Sequence, residues 1–290
     1  MDIDRKQQIK GSDMSLARVI TLTSMAMLAF AGNSILCRIA LKQTAIDPAS
    51  FTTIRLISGA LVLWLIVTFR RDASSGTGNW PSALALFVYA AGFSFAYVSL
   101  SAGTGALLLF GAVQVTMIGV GLWSGERLHG WQMIGLLLAF AGLTGLMMPG
   151  LSAPPLLGSA LMLAAGVAWG VYSLRGKGAG DATRVTAGNF MRSVPITLLL
   201  SLVLYQRSSL DVNGILYAMA SGALASGVGY AIWYTVLPAL RNTSAASVQL
   251  SVPVIAAIGG VIFLAEPLTL RLVLTSAAIL GGIALVIVKK

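Results

Sequence analysis

The chain has 290 residues, of which 57% are hydrophobic and only 10% are charged, and its formal net charge is +10. Because a soluble domain carries about 25% charged residues, this composition excludes a water-soluble globule and indicates a membrane protein. The Lys and Arg lie mostly between hydrophobic runs, so the positive charge does not predict a nucleic-acid partner. With one Cys (Cys37) and one His (His129), the sequence predicts no internal disulfide, no metal site and no cofactor.

Residues 1–15 are polar and predict a short tail. Hydrophobic runs of about 20 residues then recur, the length with which an α-helix crosses the hydrocarbon core. We predict an all-α polytopic membrane protein with ten spans, at 17–37, 50–69, 81–100, 102–124, 130–148, 155–174, 184–205, 213–236, 242–264 and 268–288. A signal peptide is an alternative for the first run, with a cleavage site at Ala29-Phe30-Ala31, but the apolar run continues beyond that point.

The distribution of Lys and Arg predicts the orientation, because cytoplasmic joints carry an excess of these residues. With the amino terminus inside, thirteen of them fall in inner segments and four in outer joints: Arg38, Lys42, Arg207 and Arg271. We therefore expect both termini in the cytoplasm and, for a bacterial chain, a place in the inner membrane.

The two halves of the chain can be laid on each other. Leu122–Gly130 (LWSGERLHG) matches Ile262–Leu270 (IFLAEPLTL), which puts Glu126 over Glu266. Arg55 similarly falls near Arg192, and Tyr97 near Tyr234. We divide the chain into a cytoplasmic tail at 1–15, a first five-helix repeat at 16–148, a linker at 149–154 and a second repeat at 155–290. Five spans is an odd number, so the second repeat enters the membrane inverted, as in many secondary carriers.

These features resemble two copies of the EamA-type module of the drug/metabolite transporter superfamily. The resemblance rests on Trp169-Gly170 in the sixth span, Asp47-Pro48 leading to Arg55, Gln249–Pro253 (QLSVP), and the paired Glu126 and Glu266. Within that superfamily the chain is most similar to bacterial ten-span exporters of aromatic amino acids. Ala31 stands where the first copy usually has Trp, and Val113 stands opposite Pro253, so the first half is expected to contribute less to a stacking surface.

Aromatic and amide side chains are the candidates for binding a solute. Tyr89, Phe93 and Tyr97 recur at i, i+4 and i+8 on one face of the third span. A ring of Trp and Tyr offers stacking and hydroxyl donors to a flat solute, although packing or an interfacial belt is the alternative. The predicted substrate-binding residues are Trp169, Tyr97, Phe93, Tyr230, Tyr234, Asn33, Gln249 and Gln114. We expect them around a central cavity walled by spans 1, 3, 4, 6, 8 and 9, with spans 5 and 10 at the periphery.

Four charged residues have a gating or structural role in this interpretation: Glu126, Glu266, Arg55 and Arg192. The two glutamates are predicted to anchor helix ends, with a gate that breaks a charge pair as the alternative. The two arginines lie one or two turns from a helix end, so they are expected to snorkel or to pair structurally. Alternatively, one of them attracts a substrate carboxylate.

The acidic residues favour a facilitative uniporter, because none lies in the middle of a span, where a proton-coupled carrier commonly places a carboxylate. We expect an exporter of small amphipathic metabolites, most of all aromatic amino acids, working by alternating access. Proton-coupled export of other amino acids or cationic toxicants is the alternative, followed by an integral-membrane enzyme or a structural subunit. The expected partners are the bilayer and a small solute, with a monomer as one option for assembly.

Overall fold

The structure is a computed structural model that describes residues 14–70, 76–125, 129–150, 153–176, 180–240, 245 and 248–288. In these ranges it contains ten main helices and no strand. The helices are α1 Leu16–Gln43, α2 Pro48–Phe69, α3 Trp80–Tyr97, α4 Ala102–Trp123, α5 Gly130–Met147, α6 Leu156–Gly176, α7 Ala182–Val203, α8 Val212–Ala239, α9 Ser251–Leu264 and α10 Leu270–Val288.

Many of these helices are capped at the amino-terminal end by a polar residue from the preceding joint. Asp47 accepts hydrogen bonds from the backbone N–H groups of Ala49 and Ser50, and Pro48 occupies the first position of α2. Such a cap satisfies donors that have no partner inside the helix, and proline suits the first turn because its missing N–H is not needed there. Side-chain caps of the same kind are made by Ser15, Asn79, Ser101, Asp181 and Asp211.

Nine of the helices in the described part of the chain are long and apolar enough to cross a membrane, and α9 is a shorter apolar helix. Within the predicted ninth span at 242–264, residues 245 and 248–249 are helical and α9 covers Ser251–Leu264, whereas 242–244 and 246–247 lie outside the described residues. Pro253 is the third residue of α9. The first helix is longer than the predicted span at 17–37, since α1 continues to Gln43 and includes Arg38 and Lys42.

Contacts between the two halves follow a symmetric pattern. The first half packs α3 and α4 against α6, and the second half packs α8 and α9 against α1 in the same way. The pairs α2–α7, α4–α9 and α5–α10 join each helix to its own counterpart. Exchanging the halves leaves this set of contacts unchanged, as a pseudo-two-fold axis requires. Because each half crosses the membrane five times, the axis lies in the membrane plane and the repeats are inverted.

The pair α5–α10 lies to one side of the bundle, as expected for the fifth and tenth spans. Its main contacts are internal, with α4 as the next neighbour. Glycines allow this close approach, because a Cβ at Gly142 would come within 2.8–3.0 Å of Ala278 and Ile279. The remaining eight helices enclose the centre of the molecule.

One segment of α8 departs from regular α-helical geometry. Ser221–Val228, in the small-residue run of the sequence, forms a π-helical stretch, with α-helix before and after it. Gly222 in this stretch lies directly against the backbone carbonyl of Arg55, where a Cβ would not fit. Short π-helical insertions occur frequently at functional sites, and this one brings α8 onto α2 beside the cavity described next.

Candidate functional site: an aromatic cavity with a buried arginine

A cavity lies between the two halves, and six of the predicted spans contribute to its wall. Its lining residues are Phe30, Asn33 and Ser34 of α1, Tyr89 and Phe93 of α3, Leu109 and Phe110 of α4, Trp169 of α6, Ala225 and Tyr230 of α8, and Gln249 just before α9. The volume is only about 30 Å³. Pockets for small molecules typically measure about 300–1,000 Å³, so the aromatic side chains occupy the space that a solute would need.

Trp169 is the centre of the aromatic cluster. Its ring lies 4.7 Å from the ring of Tyr89 and 5.2 Å from that of Tyr230, measured between centroids. On α6 itself it stacks on Tyr172, with centroids 5.2 Å apart and ring planes 24° from parallel. Phe30 meets Tyr230 edge-on at 5.7 Å. Rings from both halves thus contact one another at the cavity in tilted and edge-on arrangements, and such a cluster suits aromatic or other apolar planar groups.

The stripe predicted on α3 is present, but its three members have different surroundings. Tyr89, Phe93 and Tyr97 are all buried, and successive rings lie 5.5 and 4.7 Å apart. Tyr89 and Phe93 line the cavity, whereas the hydroxyl of Tyr97 donates to the carbonyl of Ala102 at 3.2 Å. Tyr97 therefore supports the turn between α3 and α4 and does not line the cavity, contrary to the expectation.

Arg55 lies immediately behind the wall formed by Tyr89 and Phe93. Its side chain is only 1% exposed, so of the two roles predicted for it, snorkelling or structural pairing, the burial disfavours snorkelling. The guanidinium carbon lies 5.2 Å from the ring centroid of Tyr89 and 4.8 Å from that of Phe93. Nη2 donates to the Tyr89 hydroxyl at 3.0 Å, and Nε donates to Ser226 at 3.5 Å.

A chain of hydrogen bonds continues from Arg55 along the cavity wall. Asn33 donates through Nδ2 to the same Tyr89 hydroxyl at 3.4 Å, and Ser221 donates to Oδ1 of Asn33 at 2.6 Å. The chain joins α1, α2, α3 and the π-helical stretch of α8. It fixes the orientation of Asn33 and of Tyr89, two residues of the cavity wall.

Arg55 has no acidic partner in the described residues, where the ion pairs are Arg38–Glu266 and Arg70–Asp181. Its Nη1 is buried without a hydrogen-bond partner. A charge in such surroundings is destabilising unless something balances it, and pairing with an opposite charge about 4 Å away would contribute roughly 4 kcal/mol at an effective dielectric constant near 20. The wall of the cavity thus contains positive potential that no carboxylate of the described chain offsets.

Arg192, the residue that the repeat places near Arg55, has a different environment. It is half-buried on α7, and its Nη1 donates to the backbone carbonyls of Thr77 and Gly188. The head group of Arg192 thus bonds backbone near the amino-terminal ends of α3 and α7, and its snorkelling to a membrane surface stays a prediction. It holds the 76–79 segment against α7 and lies away from the cavity.

Glu266 follows α9 and is only 8% exposed. It accepts from Nε of Arg38 at 3.0 Å and from the backbone N–H of Ala102 at 2.8 Å, at the start of α4. Arg38 also donates to the carbonyls of Tyr97 and Val98. Glu266 therefore ties α1, α4 and the α9–α10 joint together at one face of the protein, which we call the Glu266 face. Glu126 lies outside the described residues.

The other candidates divide by position. Phe93, Trp169, Tyr230, Asn33 and Gln249 line the cavity, whereas Gln114 is buried elsewhere in α4 and Tyr234 lies half-buried in α8. Sequence analysis missed Phe30, Ser34 and Phe110 of the wall and the serines Ser221 and Ser226. Phe30 could have been found, because it precedes Asn33 by three residues and so shares its helix face.

An all-helical fold of two inverted five-helix halves around a central cavity defines a polytopic membrane carrier. The model of the EamA-like transporter family matches residues 17–148 and again 156–288. The two matches cover nearly the whole chain, and the protein belongs to the EamA-like transporter family of the drug/metabolite transporter superfamily.

Similar proteins come from bacteria and archaea. "Uncharacterized protein PA1977" of Pseudomonas aeruginosa is 57% identical over 271 residues, which is 93% of this chain and 94% of that protein. "Uncharacterized transporter YvbV" of Bacillus subtilis is 25% identical over 82% of each chain, and an "Uncharacterized transporter" of Archaeoglobus fulgidus is 28% identical over 72% of this chain and 77% of that one. A crystal structure with a TM-score of 0.64 and 18% identity, covering 93% of this chain and 96% of that one, has the same fold.

Proposed function

We propose that the protein exports small amphipathic metabolites, and aromatic amino acids in particular, by alternating access through the central cavity. The observation that carries the proposal is the position of Trp169, whose ring faces Tyr89 and Tyr230 between the halves. An aromatic solute that replaced these mutual ring contacts would find stacking partners from both halves. The Asn33 and Gln249 amides in the same wall supply hydrogen-bonding groups for its polar end.

The transport cycle requires the contacts between the halves to open at one face at a time. At the Glu266 face, Arg38 of the first half pairs with Glu266 of the second. At the opposite face, Asn79 donates its backbone N–H to Asn189 at 2.9 Å, and Arg175 donates to Ser82 at 3.2 Å. In our proposal the Arg38–Glu266 pair is the gate of one face, and the opposite face opens when that pair is closed. We place the protein in a bacterial inner membrane, with this opposite face and both termini on the cytoplasmic side.

The energetics proposed here are those of a uniporter. The acids of the described chain are Asp47, Asp181, Asp211 and Glu266, and each lies at a helix end or in a joint, away from the cavity. Protonation of a group in the cavity is therefore not part of the proposed cycle. A zwitterion moves no net charge, so its flow should follow its own concentration gradient and should hardly respond to membrane potential.

Proteoliposomes with purified protein test this proposal. Labelled tryptophan should equilibrate to equal concentrations on both sides, whatever pH difference is imposed. Uphill accumulation driven by a pH step would contradict uniport and would favour proton coupling through Glu266.

The aromatic preference is tested by Trp169→Ala. This change should lower tryptophan transport roughly tenfold and leucine transport much less, because the lost stacking concerns only the aromatic solute. Trp64→Ala is the matched control, since Trp64 on α2 is 48% exposed and is not among the residues that line the cavity. An equal loss for tryptophan and leucine would show that Trp169 acts in packing alone.

A further inference from the structure

The hydroxyl of Tyr89 is surrounded by donors. It accepts one hydrogen bond from Nη2 of Arg55 at 3.0 Å and another from Nδ2 of Asn33 at 3.4 Å. Neither partner can accept in return, because a guanidinium has no acceptor and the Asn33 nitrogen is a donor whose companion oxygen already accepts from Ser221. In the described part of the chain the Tyr89 oxygen takes part only as an acceptor, so its own proton remains free for a further acceptor.

Tyr89 is also a residue of the cavity wall. Asn33, whose amide donates to the Tyr89 hydroxyl, lines the same cavity, so this hydroxyl lies at the cavity wall. The cation behind it polarises its O–H group, since hydrogen bonds in a chain strengthen one another. Arg55 itself has Nη1 without a partner, is almost fully buried, and is paired with no carboxylate of the described residues. Two independent observations, an unused donor and an unbalanced charge, thus point to the same missing group.

We propose that Tyr89 and Arg55 select solutes that carry a carboxylate. The Tyr89 hydroxyl donates to a carboxylate oxygen in the cavity, and the charge of Arg55 is balanced by the bound anion. This inference rests on the proposed function in using the same cavity, but it concerns the charged end of the solute and not its aromatic end.

The consequence is an order of affinity among related compounds. An acid without an amino group brings a full negative charge, a zwitterionic amino acid brings a carboxylate with a more distant ammonium, and an amine without a carboxylate brings only positive charge. The first two are accepted and the third is repelled by Arg55. The site is therefore closed to cationic toxicants.

The experiment compares two series of three compounds each. The aromatic series is tryptophan, indole-3-propionate and tryptamine, and the aliphatic series is leucine, 4-methylpentanoate and 3-methylbutylamine. Binding to the detergent-purified full-length protein is measured as the rise in thermal unfolding temperature with ligand concentration, which needs no transport. The acid and the zwitterion of a series should bind at least roughly tenfold more tightly than its amine, as expected for a hydrogen bond to a charged group.

Substitutions then assign the preference to the two residues. Tyr89→Phe removes one oxygen and keeps the ring, and it should weaken binding of the acids roughly tenfold while leaving the amines unchanged. Arg55→Gln should abolish the difference between acid and amine. Arg192→Gln, at the other arginine within a span, should leave the difference intact.

The inference is overturned if amines bind as tightly as acids, or if Tyr89→Phe and Arg55→Gln weaken all three compounds of a series alike, as a structural role predicts. Tyr89→Phe decides the question even if Arg55→Gln does not fold. Comparison between the series tests a different statement. Equal binding of the aromatic and aliphatic zwitterions would contradict the proposed preference for aromatic solutes without affecting the role of the carboxylate.

Discussion

Arg55 and Arg192 lie at similar places in α2 and α7, the second helices of two inverted halves, yet their surroundings have little in common. Arg55 is buried behind an aromatic wall and keeps one nitrogen without a partner. Arg192 is half-buried, and its head group bonds backbone carbonyls. An inverted repeat therefore preserves the helix arrangement while the two copies of a position acquire different chemistry.

The two halves also contribute different groups to the cavity. The first half supplies its buried charge and the polar groups of Asn33 and Tyr89, whereas the second half supplies Trp169 and Tyr230, the centre of the ring cluster. The expectation that the first half contributes less to the stacking surface was wrong, because Phe30, Tyr89, Phe93 and Phe110 of that half line the cavity. In our account the carboxylate of a solute is bound beside Tyr89 and Arg55 of the first half and its aromatic ring lies against Trp169 and Tyr230 of the second, which gives the solute a fixed orientation.

The largest expected effect on stability is at the close contact between Gly222 of α8 and the backbone of Arg55 on α2. Gly222→Ala should destabilise the protein by about 3 kcal/mol, because a Cβ there would overlap the Arg55 carbonyl and the Ser58 hydroxyl and would push α8 away from α2. Unfolding in a mixed detergent titration measures the change. Gly281→Ala is the control, since a Cβ at Gly281 has no neighbour within 4 Å among the described residues. Equal stability of the two variants would contradict the described contact between α2 and α8.

The two arginines should respond in opposite ways to removal of their charge. Arg192→Gln loses two hydrogen bonds from a charged donor and should cost about 2 kcal/mol of unfolding free energy. Arg55→Gln removes an unbalanced buried charge and should leave stability unchanged or raise it. The same detergent titration compares them, and a larger loss for Arg55→Gln would show that Arg55 is the structural residue of the pair.

A smaller difference in stability is expected between substitutions at Gly170 of α6 and Gly32 of α1, the first helices of the two halves. Gly170 on α6 lies against Thr116, where a Cβ would come within 2.8 Å of the Thr116 Cβ, so Gly170→Ala should cost about 1–2 kcal/mol. Gly32 on α1 has nothing within 4 Å in the described structure, and Gly32→Ala should be neutral or stabilise by up to about 1 kcal/mol through helix propensity. Thermal unfolding of the two variants checks the difference, which a similar loss in both would refute.

The smallest effect is expected at the cap of α2. Burial raises the pKa of the Asp47 carboxyl, but hydrogen bonds from Ser50, Ser209 and Ala49 outweigh this and hold its pKa below the ordinary 3.8. A carboxyl with a lowered pKa contributes stability that is present above 3.8 and is lost as the pH falls through the lowered value. Asp47→Asn should therefore cost about 1 kcal/mol at neutral pH and progressively less at lower pH. A loss that does not depend on pH would contradict a role for the ionised cap.

Much of the architecture could be predicted from the sequence because the bilayer limits the alternatives. Apolar runs of bilayer length predict helices, and the match of Glu126 with Glu266 indicated the repeat and, through the odd number of spans, its inversion. The aromatic spacing on α3 also placed Tyr89 and Phe93 on one face. These inferences depend only on length and periodicity, which the membrane makes reliable.

The environments of individual side chains could not be predicted in the same way. Distance from a helix end left snorkelling and structural pairing open for Arg55, and it could not show that the π-helical stretch at Gly222 covers that side of α2 and buries the residue. Likewise, Tyr97 shares the stripe of Tyr89, yet it bonds Ala102 because α3 ends there. In helices that are apolar on nearly every side, sequence periodicity gives little information about which face meets which neighbour.

The central claim, that the two halves bind opposite ends of one solute, is tested most directly by an experimental structure of the protein with tryptophan bound. Our account predicts the indole ring against Trp169 and Tyr230, and a carboxylate oxygen within about 3.2 Å of the Tyr89 hydroxyl. A tryptophan with its ammonium toward Arg55, or one bound at Arg192 outside the cavity, would contradict it.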